Sequence, residues 1–83
     1  MSDLARTPKQ LGNLIRRTRK KQGLSQTQLG ERAGLRQETI SLIEGGNPAT
    51  KIDTLLAVLA ALDLELHVTA RSKGGAPDIE DLF

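Results

Sequence analysis

The sequence of 83 residues contains no cysteine, tryptophan or tyrosine, and only one phenylalanine and one histidine. Without cysteine the protein can form neither a disulfide bond nor a thiolate zinc site, and one histidine cannot build a metal site by itself. The chain also lacks the aromatic side chains on which single-stranded nucleic acid usually stacks. We therefore expect neither a metal nor a cofactor.

Long apolar runs are missing as well. No segment approaches the roughly 20 apolar residues that a membrane span requires, and the N-terminus lacks the apolar run of a signal peptide. The sequence contains neither a phosphate-binding loop nor a suggestive set of Ser, His and Asp. We expect a cytoplasmic protein that does not contact membranes and is not an enzyme.

The charged residues are distributed unevenly. Residues 1–51 hold ten Lys and Arg against four Asp and Glu, which gives +6, whereas residues 52–83 hold two against six, which gives −4. Such an asymmetry favours a polyanion on one side of the molecule and a different partner on the other. One basic cluster is either a solvated helix face or a source of counterion release, and it comprises Arg16, Arg17, Lys20 and Lys21.

Four short helices are predicted from apolar residues at three- and four-residue spacing and from capping residues. Thr7, Ser25 and Thr50 precede the first, second and fourth helix as N-caps, each followed three residues later by a residue that can complete a capping box. The helices are predicted over residues 8–22, 26–33, 36–44 and 51–62. The fourth is apolar on more than one face and is expected to be the most buried. Residues 7–62 thus form one domain, preceded by a flexible arm at 1–6.

Residues 63–72 alternate between apolar and polar, which indicates a strand. Leu64, Leu66 and Val68 lie on one side of it, and His67 lies on the polar side. Because a lone strand leaves its backbone groups unpaired, we expect it to pair with the same strand of a second copy across a two-fold axis.

The remaining residues, 73–83, form a linker and an acidic-apolar tail. Disorder is one interpretation of this tail. The other is that its apolar residues dock in a groove of a partner and become ordered on binding. The docking candidates are Ile79, Leu82 and Phe83.

The second and third predicted helices, joined by a Gly-containing turn, form a helix-turn-helix. The second helix of such a unit fits the major groove of DNA, where its first residues meet the base edges. Ile40 and Ile43 are expected to hold this helix to the core. The side chains left facing outward are those of Arg36, Gln37, Glu38, Thr39, Ser41 and Leu42.

The segment IRRTRKKQGLSQTQLGERAGLRQETISLIEGG, followed by KIDTLLAVLAAL, resembles the Cro/lambda-repressor-like (XRE) helix-turn-helix family. The resemblance covers residues 11–62 and implies an all-α, four-helix fold and a nucleoid-associated, DNA-binding regulator. Positions that agree at fixed spacing include Arg19, Gly23, Leu24, Ser25, Gln26, Leu29, Ala33, Gly34, Ile40, Ser41, Ile43, Glu44 and Gly46. Gly30 stands where the family usually has Ala, which should cost up to about 1 kcal/mol of helix propensity.

The same resemblance implies roles for the outward side chains. Gln26 would bond a phosphate and brace Gln37, and Gln37, unless it is simply solvated, would bind adenine through N6 and N7. Arg36 would take guanine or a phosphate, and Ser41 a base or a phosphate. Glu38 would accept a hydrogen bond from cytosine N4 or only complement the helix N-terminus. The other phosphate candidates are Ser25, Thr39, Asn47 and Lys51.

Two further positions are assigned a structural role. Members of the family pair the residues that correspond to Arg19 and Glu44 in an internal salt bridge, so we expect the same pair here and exclude both residues from the DNA contacts.

The C-terminal junction LAALDLELHVTARS resembles that of HipB-type antitoxins. These proteins dimerise through the strand, repress their own operon and bind a HipA-type serine/threonine kinase toxin. The leading hypothesis is therefore a dimeric repressor that binds a palindromic double-stranded operator and is the antitoxin of such a kinase. The alternatives are a free-standing phage or chromosomal repressor without a toxin, and an interaction adaptor whose helix-turn-helix no longer binds DNA.

Overall fold

The computed structural model describes residues 4–71. It contains α1 at Pro8–Lys21, α2 at Gln26–Ala33, α3 at Gln37–Glu44 and α4 at Ile52–Ala61. The four predicted helices are confirmed. α1 ends one residue earlier than predicted, α3 begins one residue later, and α4 is one residue shorter at each end.

The first two helices begin at the predicted caps. Thr7 Oγ1 accepts a hydrogen bond from the Gln10 N–H at 3.1 Å. The Gln10 side chain does not accept a hydrogen bond from the Thr7 N–H, which the predicted capping box requires. Its Oε1 instead accepts from the Arg6 N–H at 2.7 Å. In α2 the capping box is complete: Ser25 Oγ accepts from the Gln28 N–H at 3.0 Å, and Gln28 Oε1 accepts from the Ser25 N–H at 2.8 Å.

The capping box predicted for α4 is wrong. Lys51, not Thr50, is the N-cap residue, and its side chain makes no capping bond. The Thr50 hydroxyl instead donates to the Asn47 carbonyl at 3.0 Å, and Asp53 Oδ1 accepts from the Thr54 N–H at 2.7 Å. The hydroxyl is thus used to close the loop between α3 and α4.

Within residues 4–71 the core is aliphatic, and it draws on all four helices. Its buried members are Ile15, Leu29, Ile40, Ile43, Val58, Leu59 and Leu62. Each such side chain contributes about 1.5–3 kcal/mol when it leaves water. Because Ile40 and Ile43 belong to this set, α3 is anchored along one side only.

The expectation that α4 is the most buried helix is wrong. Val58 and Leu59 are buried, but Ile52 is 65% exposed and Leu56 is 44% exposed. α4 packs against α2 with one face, and no element among residues 4–71 covers the other.

Residues 64–71 have no regular secondary structure, so the predicted strand is not formed within the described part of the chain. A strand needs a partner strand for its backbone groups, and residues 4–71 provide none. Leu64 packs against the core, whereas Leu66 and Val68 are exposed. Residues 1–3 and 72–83, with the tail candidates Ile79, Leu82 and Phe83, lie outside the described residues. No helix in the described range is long and apolar enough to cross a membrane.

Candidate nucleic-acid interface

The turn between α2 and α3 is tight because of two glycines. Gly34 ends α2 with φ of 72°, the left-handed conformation that was predicted. The Leu35 N–H donates to the Gly30 carbonyl at 2.8 Å, and a Cβ on Gly30 would lie 2.6 Å from the Leu35 carbonyl oxygen. The glycine that weakens helix propensity is therefore what allows the turn to close onto α2.

α3 has one buried side and one exposed side. Ile40 is fully buried and Ile43 is 4% exposed. The side chains of the predicted base-reading residues are all exposed, and they are Arg36, Gln37, Glu38 and Ser41. The Arg36 side chain makes no capping bond although Arg36 is the N-cap of α3, so its guanidinium is not used to start the helix.

Leu42 belongs to the same exposed surface, although it was not among the predicted base-reading residues. Its side chain is 58% exposed, although leucine normally avoids water. It follows Glu38 by four residues, so both lie on one face of α3. An exposed leucine at this place can contact the methyl group of thymine.

Beneath the exposed surface lies the expected ion pair. Arg19 Nε donates to Glu44 Oε2 at 2.6 Å and Arg19 Nη2 donates to Glu44 Oε1 at 3.0 Å, while Arg19 Nη1 donates to the Leu24 carbonyl at 2.8 Å. The two residues are 7% and 6% exposed. The hydrogen bond to Glu44 raises the pKa of Arg19 despite the opposing effect of burial, so the guanidinium is charged.

The ion pair is connected to the exposed start of α3. Gln26 Nε2 donates to Glu44 Oε1 at 3.1 Å, and Gln37 Nε2 donates to Gln26 Oε1 at 2.6 Å. The brace between Gln26 and Gln37 is therefore present. Sequence reasoning identified its two members and the ion pair separately, but it missed the bond from Gln26 to Glu44 that joins them.

The phosphate candidates occupy different environments. Ser25 and Lys51 are exposed, at the N-caps of α2 and α4, and Gln26 is half-buried at the start of α2. Thr39 is half-buried. Asn47 is also half-buried, and its Oδ1 accepts from the Ala49 N–H at 3.1 Å, so this side chain shapes the loop after α3. The structure joins Gln26 directly to the base-reading candidates.

The basic cluster of α1 is exposed along the helix. Three of its side chains, with Leu4, Gln10 and Asn13, line a shallow, open depression, and they are Arg16, Arg17 and Lys20. No residue of α3 lines this depression, so the cluster is a separate feature of the described surface.

Known proteins resemble this chain in sequence. The sequence profile of the helix-turn-helix family matches residues 15–68. Antitoxin HipB of Escherichia coli is 29% identical over 72 residues, which span 87% of this chain and 81% of that protein. An uncharacterised HTH-type transcriptional regulator, y4mF of Sinorhizobium fredii, is 34% identical over 70 residues, which span 84% of this chain and 92% of that protein.

Solved structures resemble it in fold. A chain of the HipA-HipB-O2-O3 complex superposes with a TM-score of 0.76 at 28% identity, covering 82% of this chain and 96% of that chain. A chain of the HipB-O4 20mer complex gives the same TM-score, identity and coverage. The matched profile spans more than half of the sequence and includes both helices of the turn, so the chain belongs to the XRE-type helix-turn-helix family.

Proposed function

We propose that this protein is a sequence-specific repressor that binds double-stranded operator DNA as a dimer and acts as the antitoxin of a HipA-type kinase. The observation that carries the DNA-binding part is the placement of Gln37. Its side chain is exposed at the start of a helix whose other side is fixed in the core, and a hydrogen bond from Gln37 to Gln26 holds it in place.

Each exposed group of α3 suits a different feature of the major groove. Gln37 takes adenine through N6 and N7, and Arg36 takes guanine O6 and N7 or a phosphate. Glu38 accepts from cytosine N4 and Leu42 contacts a thymine methyl, while Ser41 reaches a base or a phosphate. The positions assigned to the DNA backbone are Ser25, Gln26, Thr39, Asn47 and Lys51, and they fix the register of α3.

Replacing Gln37 with alanine should weaken operator binding by about 1–3 kcal/mol and relax the preference at one base pair. The operator is first selected from a pool of random duplexes, and affinities are then measured for all four bases at each position. Lys51→Ala is the matched control, because loss of a phosphate contact should weaken binding to all sequences equally. It should also reduce the slope of log K against log[salt] by about one. An equal loss on all sequences for Gln37→Ala would mean that Gln37 contacts only the backbone.

The dimer rests on the segment that follows α4. Leu66 is 49% exposed and Val68 is 94% exposed, which is unfavourable for side chains of this type in a lone subunit. Pairing of residues 63–72 with a second copy covers these side chains and, with Leu64 at the edge of the core, continues the core into the dimer. Two reading helices then meet half-sites about 34–36 Å apart, one turn of DNA.

Val68→Lys should shift the dimer towards monomer, because it places a charge where two apolar faces meet. Sedimentation measures the shift, and Thr69→Lys is the matched control on the opposite side of the alternating segment. A full dimer for Val68→Lys would show that the interface lies elsewhere.

The antitoxin part rests on the relatives. Both HipB of Escherichia coli and a chain of the HipA-HipB-O2-O3 complex resemble this protein over more than four-fifths of its length. A pull-down from the host should recover a kinase of the HipA type, and a kinase gene should neighbour the gene of this protein.

A free-standing repressor is the second candidate. It is favoured by the regulator y4mF, which is the more identical relative at 34% and whose name mentions no toxin. A selected operator with no kinase recovered from the host supports this candidate. A protein that binds no duplex in a salt-dependent manner would instead be an adaptor.

A further inference from the structure

The side chains of Arg19, Glu44, Gln26 and Gln37 form one continuous series of hydrogen bonds, with lengths of 2.6, 3.0, 3.1 and 2.6 Å. The series begins in the buried ion pair and ends at an exposed amide. A side-chain amide carries an NH₂ donor and a carbonyl acceptor. Two amides in series can therefore both point their NH₂ groups towards the ion pair or both point them away from it. The ion pair determines which sense is adopted.

Glu44 fixes the first amide. A carboxylate group can only accept hydrogen bonds, and Arg19 donates two of them to Glu44. Gln26 must therefore turn its NH₂ group towards Glu44, as the contact between Gln26 Nε2 and Glu44 Oε1 shows. Its carbonyl oxygen then faces the other way.

Gln26 in turn fixes the second amide. Since Gln26 presents its Oε1, Gln37 must approach with its NH₂ group, and it does so at 2.6 Å. One of the two N–H bonds of Gln37 is thereby used. What remains for a ligand is one N–H donor beside one carbonyl acceptor, and Gln26 likewise keeps one N–H for a phosphate.

We propose that Glu44 acts through Gln26 as a positioning residue that makes Gln37 prefer adenine over guanine. Adenine presents an acceptor at N7 and a donor at N6 in the major groove, which match the remaining donor and acceptor of Gln37, whereas guanine presents two acceptors. This inference rests on the proposed DNA-binding function. It assigns to the buried ion pair a role in specificity in addition to its role in the fold.

The test uses the full chain and the selected operator. Gln37→Ala identifies the base pair that Gln37 reads, and affinities are then measured with adenine and with guanine at that position. The unmodified protein should prefer adenine by about tenfold or more. Gln26→Met keeps the length of the side chain but offers Gln37 no carbonyl acceptor, so the orientation of the Gln37 amide is no longer fixed. The ratio of the affinities for the adenine and guanine duplexes should then fall to about threefold or less, while the adenine duplex is still bound. Glu31→Gln, an exposed change on the same helix, should leave the ratio unchanged.

A second measurement does not depend on any variant. With the unmodified protein, replacing that adenine with 7-deazaadenine removes the N7 acceptor, and replacing it with purine removes the N6 donor. Each should weaken binding by about tenfold if both remaining groups of Gln37 are engaged. An unchanged adenine-to-guanine ratio in Gln26→Met, or loss on only one of the two analogues, would overturn the inference while leaving the repressor intact. Failure of the unmodified protein to select any sequence would overturn the proposed function itself.

Discussion

Replacing Glu44 with alanine is expected to lower the free energy of unfolding by about 3–5 kcal/mol, because the charge of Arg19 then remains buried without a partner. A domain of this size has a total stability of about 4–12 kcal/mol, so the substitution should remove roughly a quarter or more of it. Urea unfolding followed by circular dichroism measures the effect. Glu31→Ala, at an exposed position in α2, is the matched control and should change stability by less than about 0.5 kcal/mol.

A double substitution tests whether the unpaired charge of Arg19 is the cause of this loss of stability. If the penalty comes from an unpaired charge, replacing both partners by Arg19→Met and Glu44→Leu should cost less than Glu44→Ala alone. The raised pKa of Arg19 means that the contribution of this residue to stability is present in full below its unfolded-state pKa and is lost as pH rises through its folded-state pKa, at strongly alkaline pH. A loss for Glu44→Ala below about 1 kcal/mol would show that water reaches Arg19.

Gly12→Ala should destabilise the protein by about 1–3 kcal/mol, although alanine is the better helix former by about 1 kcal/mol. Gly12 lies where α1 crosses the end of α3. A Cβ at this position would lie 2.6 Å from the Glu44 carbonyl oxygen and even closer to the Ile43 carbonyl oxygen. Both atoms belong to the backbone and cannot rotate away, so the helices must separate.

Asn13→Ala is the matched control for Gly12→Ala. Asn13 is the next residue in α1 and is exposed, so only helix propensity acts there and alanine should stabilise by about 0.5 kcal/mol. The two substitutions are therefore expected to have opposite signs in the same unfolding experiment. A gain in stability for Gly12→Ala would contradict the close approach of α1 and α3.

Much of the fold could be predicted because short-range patterns specify it. Thr7, Ser25 and Gly34 act within three or four residues of their own positions, and each cap or stop was found where the pattern placed it. The α4 cap failed because Thr50 has a competing bond to the Asn47 carbonyl, which no capping pattern describes. The outward side chains of α3 were predictable for a similar reason: Ile40 and Ile43 mark the inward side by their spacing.

The sequence by itself determined the four helices, the apolar side of α3 and the identity of the polar side chains that remain outside. Only the tertiary structure decided that Gly12 and Gly30 lie under backbone carbonyls, that Ile52 and Leu56 are exposed, and that Gln37 is tied to Glu44. The bonds of that series join residues 25, 18 and 11 positions apart. Local spacing acts over one helical turn, whereas contacts at such separations exist only once the helices have packed, and their geometry depends on all of the helices together.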